Sequence, residues 1–147
     1  MHFRRTTLIA AAVFGLAALA GCETAPTGSR MMLTAQLSGA QEVPPKTTGG
    51  SGTAQVEYDR ATNMLHWTVT YSGLTGPATA AHIHGPAAAG ANAGVLVPFK
   101  VGPSPITGEA PITPAQAGDL LAGLWYVNVH TAANPGGEIR GQLSIKH

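Results

Sequence analysis

"MLHWTVTYSG" (64–73) alternates without a break. Leu65, Trp67, Val69 and Tyr71 fall on one side of an extended chain, and His66, Thr68 and Thr70 on the other. Successive side chains of a strand point to opposite faces, so this is a strand with one dry and one wet face. The same rhythm continues outward. Upstream lie "MLTAQLSG" (32–39) and "GTAQVEYD" (52–59), with "RATN" (60–63) as the turn into 64–73. Downstream lie "TAAHIHG" (79–85), "GVLVPFKV" (94–101), "ITGEAPIT" (106–113), "LWYVNVH" (124–130) and "GEIRGQLSI" (137–145). Nineteen glycines and 11 prolines punctuate these runs. Seven to eight short strands at roughly ten-residue spacing predict an all-β antiparallel sandwich or barrel.

One helix interrupts the pattern. In "TPAQAGDLLAG" (113–123), Thr113 is placed as N-cap, Pro114 at the first helical position and Gly123 just past the end. Gly118 weakens the helix, so docking must hold it. "NPGG" (134–137) fits a type II turn, with Pro135 second and Gly136 third.

The first residues read as an address. Arg4 and Arg5 precede the apolar run "LIAAAVFGLAAL" (8–19), which leads into "LAGC" (19–22). The run is short for a bilayer-spanning helix and suits a signal-peptide core. Small residues before the chain's one cysteine predict a bacterial lipoprotein signal over 1–21. Cys22 is then the lipidated N-terminus, 22–30 a flexible tether and 31–147 the domain. Lipidation accounts for the leftover cysteine, so no disulfide is expected. The protein is then a cell-envelope lipoprotein, held to a membrane by its lipid. Glu23 follows the cysteine in place of an inner-membrane-retaining aspartate. That implies the outer membrane, facing the periplasm or the cell surface. Beyond the signal, six Lys and Arg stand against seven Asp and Glu, a net charge of −1. No basic run survives, which argues against nucleic-acid binding.

His82 and His84 stand two apart in "AAHIHGPAAAGANAG" (80–94), a stretch otherwise nearly free of polar chemistry. Residues i and i+2 of a strand share a face about 6.6 Å apart, so two imidazoles can converge on one ion. Ile83 between them points into the core. His130 ends "LWYVNVH" on the face of Asn128 and Tyr126, and completes a three-histidine set if the two strands adjoin. Imidazole-only ligation suits copper or zinc, and no acidic cluster invites calcium or magnesium. Two other readings stay open. The histidines can pin the loops "GPAAAGANAG" and "TAANPGG", or they can bind a small ligand or a protein. His66 reads as an exposed strand residue rather than a fourth ligand. Arg140, with Glu138 and Gln142 on a polar face, is either a surface Arg–Glu pair or a cationic guide for an anion beside an open metal position.

Other chemistries lack their parts. There is no Gly-x-Ser-x-Gly, and "GGSG" (49–52) leads into a strand rather than a phosphate-binding helix. Glu57 and Asp59 are read onto opposite faces of one strand, so no carboxylate pair is evident.

"LSGAQEVPP" (37–45), "WTVTYSGLTGPATAAHIHGPA" (67–87), "SPITGEAPIT" (104–113) and "LLAGLWYVNVHTAANPGGEIRGQL" (120–143) resemble the CHRD domain, named for its occurrence in chordin. The resemblance covers about residues 32–145 and implies an immunoglobulin-like β-sandwich. That family is in turn distantly similar to copper/zinc superoxide dismutases. The comparison implies copper ligation by His82, His84 and His130, with Arg140 in the place of the last-strand arginine. Residues 85–129 hold no histidine and only Glu109 and Asp119 as acids, so the zinc half of such a site is missing. Three functions follow. The first is a lipid-anchored binding module with a three-histidine copper or zinc site. The second is a copper-only dismutase-like enzyme, and the third a metal-free domain that binds an extracytoplasmic protein.

Overall fold

A computed structural model describes residues 28–146. Nine strands run in chain order: β1 (Arg30–Ser38), β2 (Ser51–Asp59), β3 (Met64–Ser72), β4 (Ala78–His84), β5 (Val95–Pro98), β6 (Ile106–Pro111), β7 (Tyr126–Thr131), β8 (Ile139–Gln142) and β9 (Ser144–Ile145). A 3₁₀ turn, Gly39–Gln41, follows β1, and one helix, α1 (Pro114–Leu121), precedes β7. The predicted alternation of 64–73 holds in β3. Leu65, Trp67 and Val69 are buried, while His66, Thr68 and Thr70 are exposed.

The strands hydrogen-bond in the order β5-β4-β7-β8-β1-β2-β3-β6, with β9 also on β1. Every pairing is antiparallel. β1 and β8 meet at one position, Ser38 opposite Arg140. On one side of that narrow seam lie β5, β4, β7 and β8, on the other β1, β2, β3 and β6 with the short β9, and the two layers enclose one core. Leu33, Leu37, Val56, Leu65 and Val69 come from one layer, and Ile83, Val127, Val129 and Ile139 from the other. Trp67 stacks on Phe99 with ring centroids 4.5 Å apart. Burying a side chain of this size contributes about 1.5–3 kcal/mol. The fold is an all-β sandwich with one short helix.

The helix starts as expected and more firmly. Gln116 N donates to Thr113 Oγ1 at 3.2 Å, and Thr113 N donates to Gln116 Oε1 at 2.8 Å, a complete capping box. Ala117 and Leu120 dock it on the core, and Gly123 ends it at φ +75°.

Four local readings are corrected. The 137–145 strand breaks at Leu143 into β8 and β9. The NPGG turn is closed by Gly137 N donating to Asn134 O at 3.0 Å, but the positive φ falls on Gly137 (+124°), not on Gly136. A Cβ on Gly137 would run into the Glu42 carboxyl, so a side chain packed from outside the turn adds to the need for glycine there. Glu57 and Asp59, two apart on β2, share a face. Arg30 reaches both, at 3.1 and 4.0 Å, and is itself already part of β1 rather than of a tether.

β7 is buried along its whole length. Val127 and Val129 face the core, and Tyr126, Asn128 and His130 face the other way, under the 85–94 loop. Ala87 N donates to Leu124 O at 2.8 Å, and Gln142 Nε2 donates to Ala87 O at 2.9 Å. Asn92 Nδ2 donates to Val43 O at 3.0 Å. At the start of the loop a Cβ on Gly85 would run into the Trp125 ring, so glycine is required there.

Candidate metal centre

β4 and β7 are neighbours, with His82 opposite Asn128 and Ala80 opposite His130. Strand pitch puts His82 and His84 on the loop side of β4, and register puts His130 beside them. The ring centroids of His82 lie 5.3 Å from those of His84 and 4.9 Å from those of His130. One ring nitrogen from each histidine falls within 4.8 Å of the others. A tetrahedral ion with bonds of about 2.0–2.1 Å keeps its ligand nitrogens roughly 3.3 Å apart, so only a small inward movement is required. His84 and His130 are buried and His82 is partly open, which leaves one approach from solvent.

Two of the rings are oriented from behind. His84 Nδ1 lies 3.0 Å from Ala93 O, and His130 Nδ1 lies 2.9 Å from Pro135 O. A carbonyl can only accept, so each Nδ1 carries the proton and donates it. In the neutral ring, Nε2 is then a bare lone pair facing the cluster. The histidines therefore do pin the two loops, and those bonds also fix the tautomer that ligation needs. His82 Nδ1 lies 3.0 Å from His130 Nε2 and donates to it in the neutral, metal-free set.

Asn128 is the residue that sequence reasoning passed over. Its Oδ1 lies 3.1 Å from His84 Nε2 and 2.9 Å from His130 Nε2. With both Nε2 atoms unprotonated, a half turn of the amide presents its NH₂ to them instead. The signal was legible in "YVNVH": the position two before a candidate ligand shares its face.

Protonation is disfavoured here. Burial pushes His82 below the usual imidazole range, and His130 and His84 push it further against the bond to Asn128. Burial also lowers His130, opposed by its Pro135 carbonyl and reinforced by His84. Neutral imidazole, the ligating form, is thus held at neutral pH.

The CHRD domain family matches residues 33–143. The chain belongs to that family. No curated protein and no solved structure matches it.

Within this CHRD domain the remaining candidates separate. His66 lies on β3, in the other layer, with Nδ1 3.1 Å from Glu109 Oε2, and does not join the cluster. Arg140 is fully buried and makes no surface ion pair with Glu138. Its Nη1 donates to Asn92 Oδ1 at 3.0 Å and its Nη2 to Ala91 O at 2.6 Å. Its guanidinium carbon stands 3.4 Å from the Tyr126 ring centre, and Tyr126 also stacks on His84 at 4.8 Å. Because β4 and β8 flank β7, the phenol is sandwiched between cation and imidazole. Cys22 and its signal lie outside the described residues. Among those described, no helix is long and apolar enough to cross a membrane.

Proposed function

We propose that this CHRD domain is a metal-binding module whose His82, His84 and His130 hold one copper or zinc ion. The carrying observation is the convergence of three ring nitrogens, two of them with the opposite nitrogen tied to a backbone carbonyl. The donor set is nitrogen only, which favours copper or zinc over calcium and magnesium. An ion there would be held by the three imidazoles and reached from the partly open His82 side, and it would supply Lewis-acid or, for copper, redox chemistry. The residues favour binding over turnover. Arg140, the candidate guide for an anionic substrate, is held by Asn92, Ala91 and Tyr126. We place the domain outside the cytoplasm on a lipid at Cys22, at the outer membrane. Cys22→Ser should move the protein from the membrane fraction to the soluble one.

Isothermal titration at neutral pH is the direct test. Copper(II) should bind at one equivalent, zinc more weakly and magnesium not at all. A ligand specific to the folded state adds about 2.7 kcal/mol at a hundredfold excess over its Kd, so copper should raise Tm. His82→Ala/His84→Ala/His130→Ala should lose both signals. Affinity should fall as pH drops through the lowered range of His82 and His130, below the ~6.5 of an unperturbed imidazole. Equal copper binding by wild type and triple variant would leave the histidines as loop pins.

A further inference from the structure

A cavity of about 350 Å³ lies beyond the metal cluster, between the Ala40–Pro45 segment and the tip of the 85–94 loop. None of the three histidines lines it. Ala40, Val43, Pro45 and Ala89 make its walls largely alkyl, and Arg140, Gln142 and Glu42 add polar groups. This size and this mix of apolar wall with few polar groups suit a small molecule.

Arg140 is 1 % exposed, and no carboxylate of the described residues lies within ion-pair distance of it. A buried cation without a counter-charge is costly. Its bonds to Asn92 and Ala91 engage two N–H donors, leaving three of the guanidinium's five outside them. The neighbouring carboxyl does not serve as the missing anion. Glu42 is 5 % exposed, its Oε1 has no hydrogen-bond partner, and burial raises its pKa to about 7 against the pull of Arg140. Below neutral pH it stands as an acid, with an O–H to give. A guanidinium and a carboxylic acid both donate, and both suit a carboxylate. The alkyl walls suit an apolar body attached to it.

We propose that this cavity binds a small aliphatic monocarboxylate, its carboxylate toward Arg140 and Glu42 and its chain against Val43, Pro45 and Ala89. The site is separate from the metal cluster and does not rest on it.

Hexanoate is the probe, with hexanol and hexylamine as controls of the same body. The mature chain, residues 22–147 with Cys22→Ser, is titrated metal-free at mildly acidic pH and followed by amide NMR. Hexanoate should give saturable shifts at Ala40, Val43, Ala89 and Gly90, and the controls should bind about tenfold more weakly or worse. Ala89→Leu, at an exposed loop position, fills the cavity without touching the buried polar groups and should abolish those shifts. Arg140→Lys keeps the charge but loses the forked donors, and should weaken binding about tenfold. If it fails to fold, Ala89→Leu still decides. Hexanol binding as tightly as hexanoate would mean an apolar pocket with no anion recognition. No saturable shift, or shifts unchanged in Ala89→Leu, would overturn the site.

Discussion

Two buried carboxyl groups flank Gly137, and they behave oppositely. Glu138 is wholly buried, yet its pKa is held at about 2. Burial alone would raise it, but hydrogen bonds outweigh burial. Oε1 accepts from Thr48 Oγ1 at 2.6 Å and Thr75 N at 2.9 Å, and Oε2 from Thr75 Oγ1 and Thr131 Oγ1, each at 2.6 Å. Glu42 is buried nearly as well, and burial raises it to about 7 against the pull of Arg140; its Oε1 has no donor to offset that cost. What separates the two is whether hydrogen bonds offset the cost of burial: four donors do so at Glu138, while at Glu42 burial prevails over the pull of Arg140. The Glu138 cluster is closed, with every lone-pair direction spent on tying β7 and two loops together. The Glu42 side is open, and openness marks the region available for ligands.

The contrast can be broken most sharply at Glu138. Glu138→Ala should cost roughly 3–5 kcal/mol, since each hydrogen bond to a charged group is worth ~1.5–3 and the threonines are left unpaired. Urea unfolding checks this, and a loss below ~1 kcal/mol would mean that the threonine shell does not hold the fold. The same carboxylate sets an acid limit. Between pH 4.5 and about 2 the unfolded chain binds a proton that the folded one refuses, so stability should fall as pH drops through that window.

Gly137 comes next. A side chain there meets Glu42 and a φ of +124°, so Gly137→Ala should cost about 1–3 kcal/mol. A double-mutant cycle with Glu42→Gly tells the two causes apart, since only the clash is relieved by removing the carboxyl.

Glu42→Gln should act in the opposite sense to a change at Glu138. Between pH 4.5 and 7 the folded chain keeps a proton that the unfolded one releases, so wild type loses stability as pH rises through that window. The variant lacks this loss and should gain about 1–2 kcal/mol over wild type at alkaline pH, read as a higher Tm there only. An equal shift at all pH values would point to packing instead. His66→Ala is the smallest expected effect, within about 0.5 kcal/mol, with copper binding unchanged, because its exposed pair with Glu109 is screened.

Strand existence was legible because period-2 alternation is a local signal, as β3 illustrates. The shared face of His82 and His84 followed from pitch alone. The place of His130 beside them depends on β4 and β7 pairing over 48 residues of chain, which no local pattern encodes. Arg140, Glu138 and Gln142 were read as a polar, solvated face because their strand alternates cleanly. The reading failed there because other segments lie over that face and dry it: the 85–94 loop over Arg140 and Gln142, and the segments carrying Thr48 and Thr75 over Glu138. Alternation reports which side of a strand is polar, and tertiary cover decides whether water reaches it. The turn at NPGG failed for a related reason, since Glu42 packs on it from outside.

β1 is the first strand described and sits in the interior of the sheet, between β2 and the last two strands. Leu33 pairs with Ile145, and Ser38 with Arg140. Its partners on one side are therefore the last segments of the domain to be synthesised. A long loop must close before those contacts can form, and such closure is slow. A nascent chain has no complete sheet to fold into until β8 and β9 emerge. Refolding should accordingly run on the millisecond-to-second scale of all-β domains, and truncation before Ile139 should leave a species with β1 unpaired along one edge and open to aggregation.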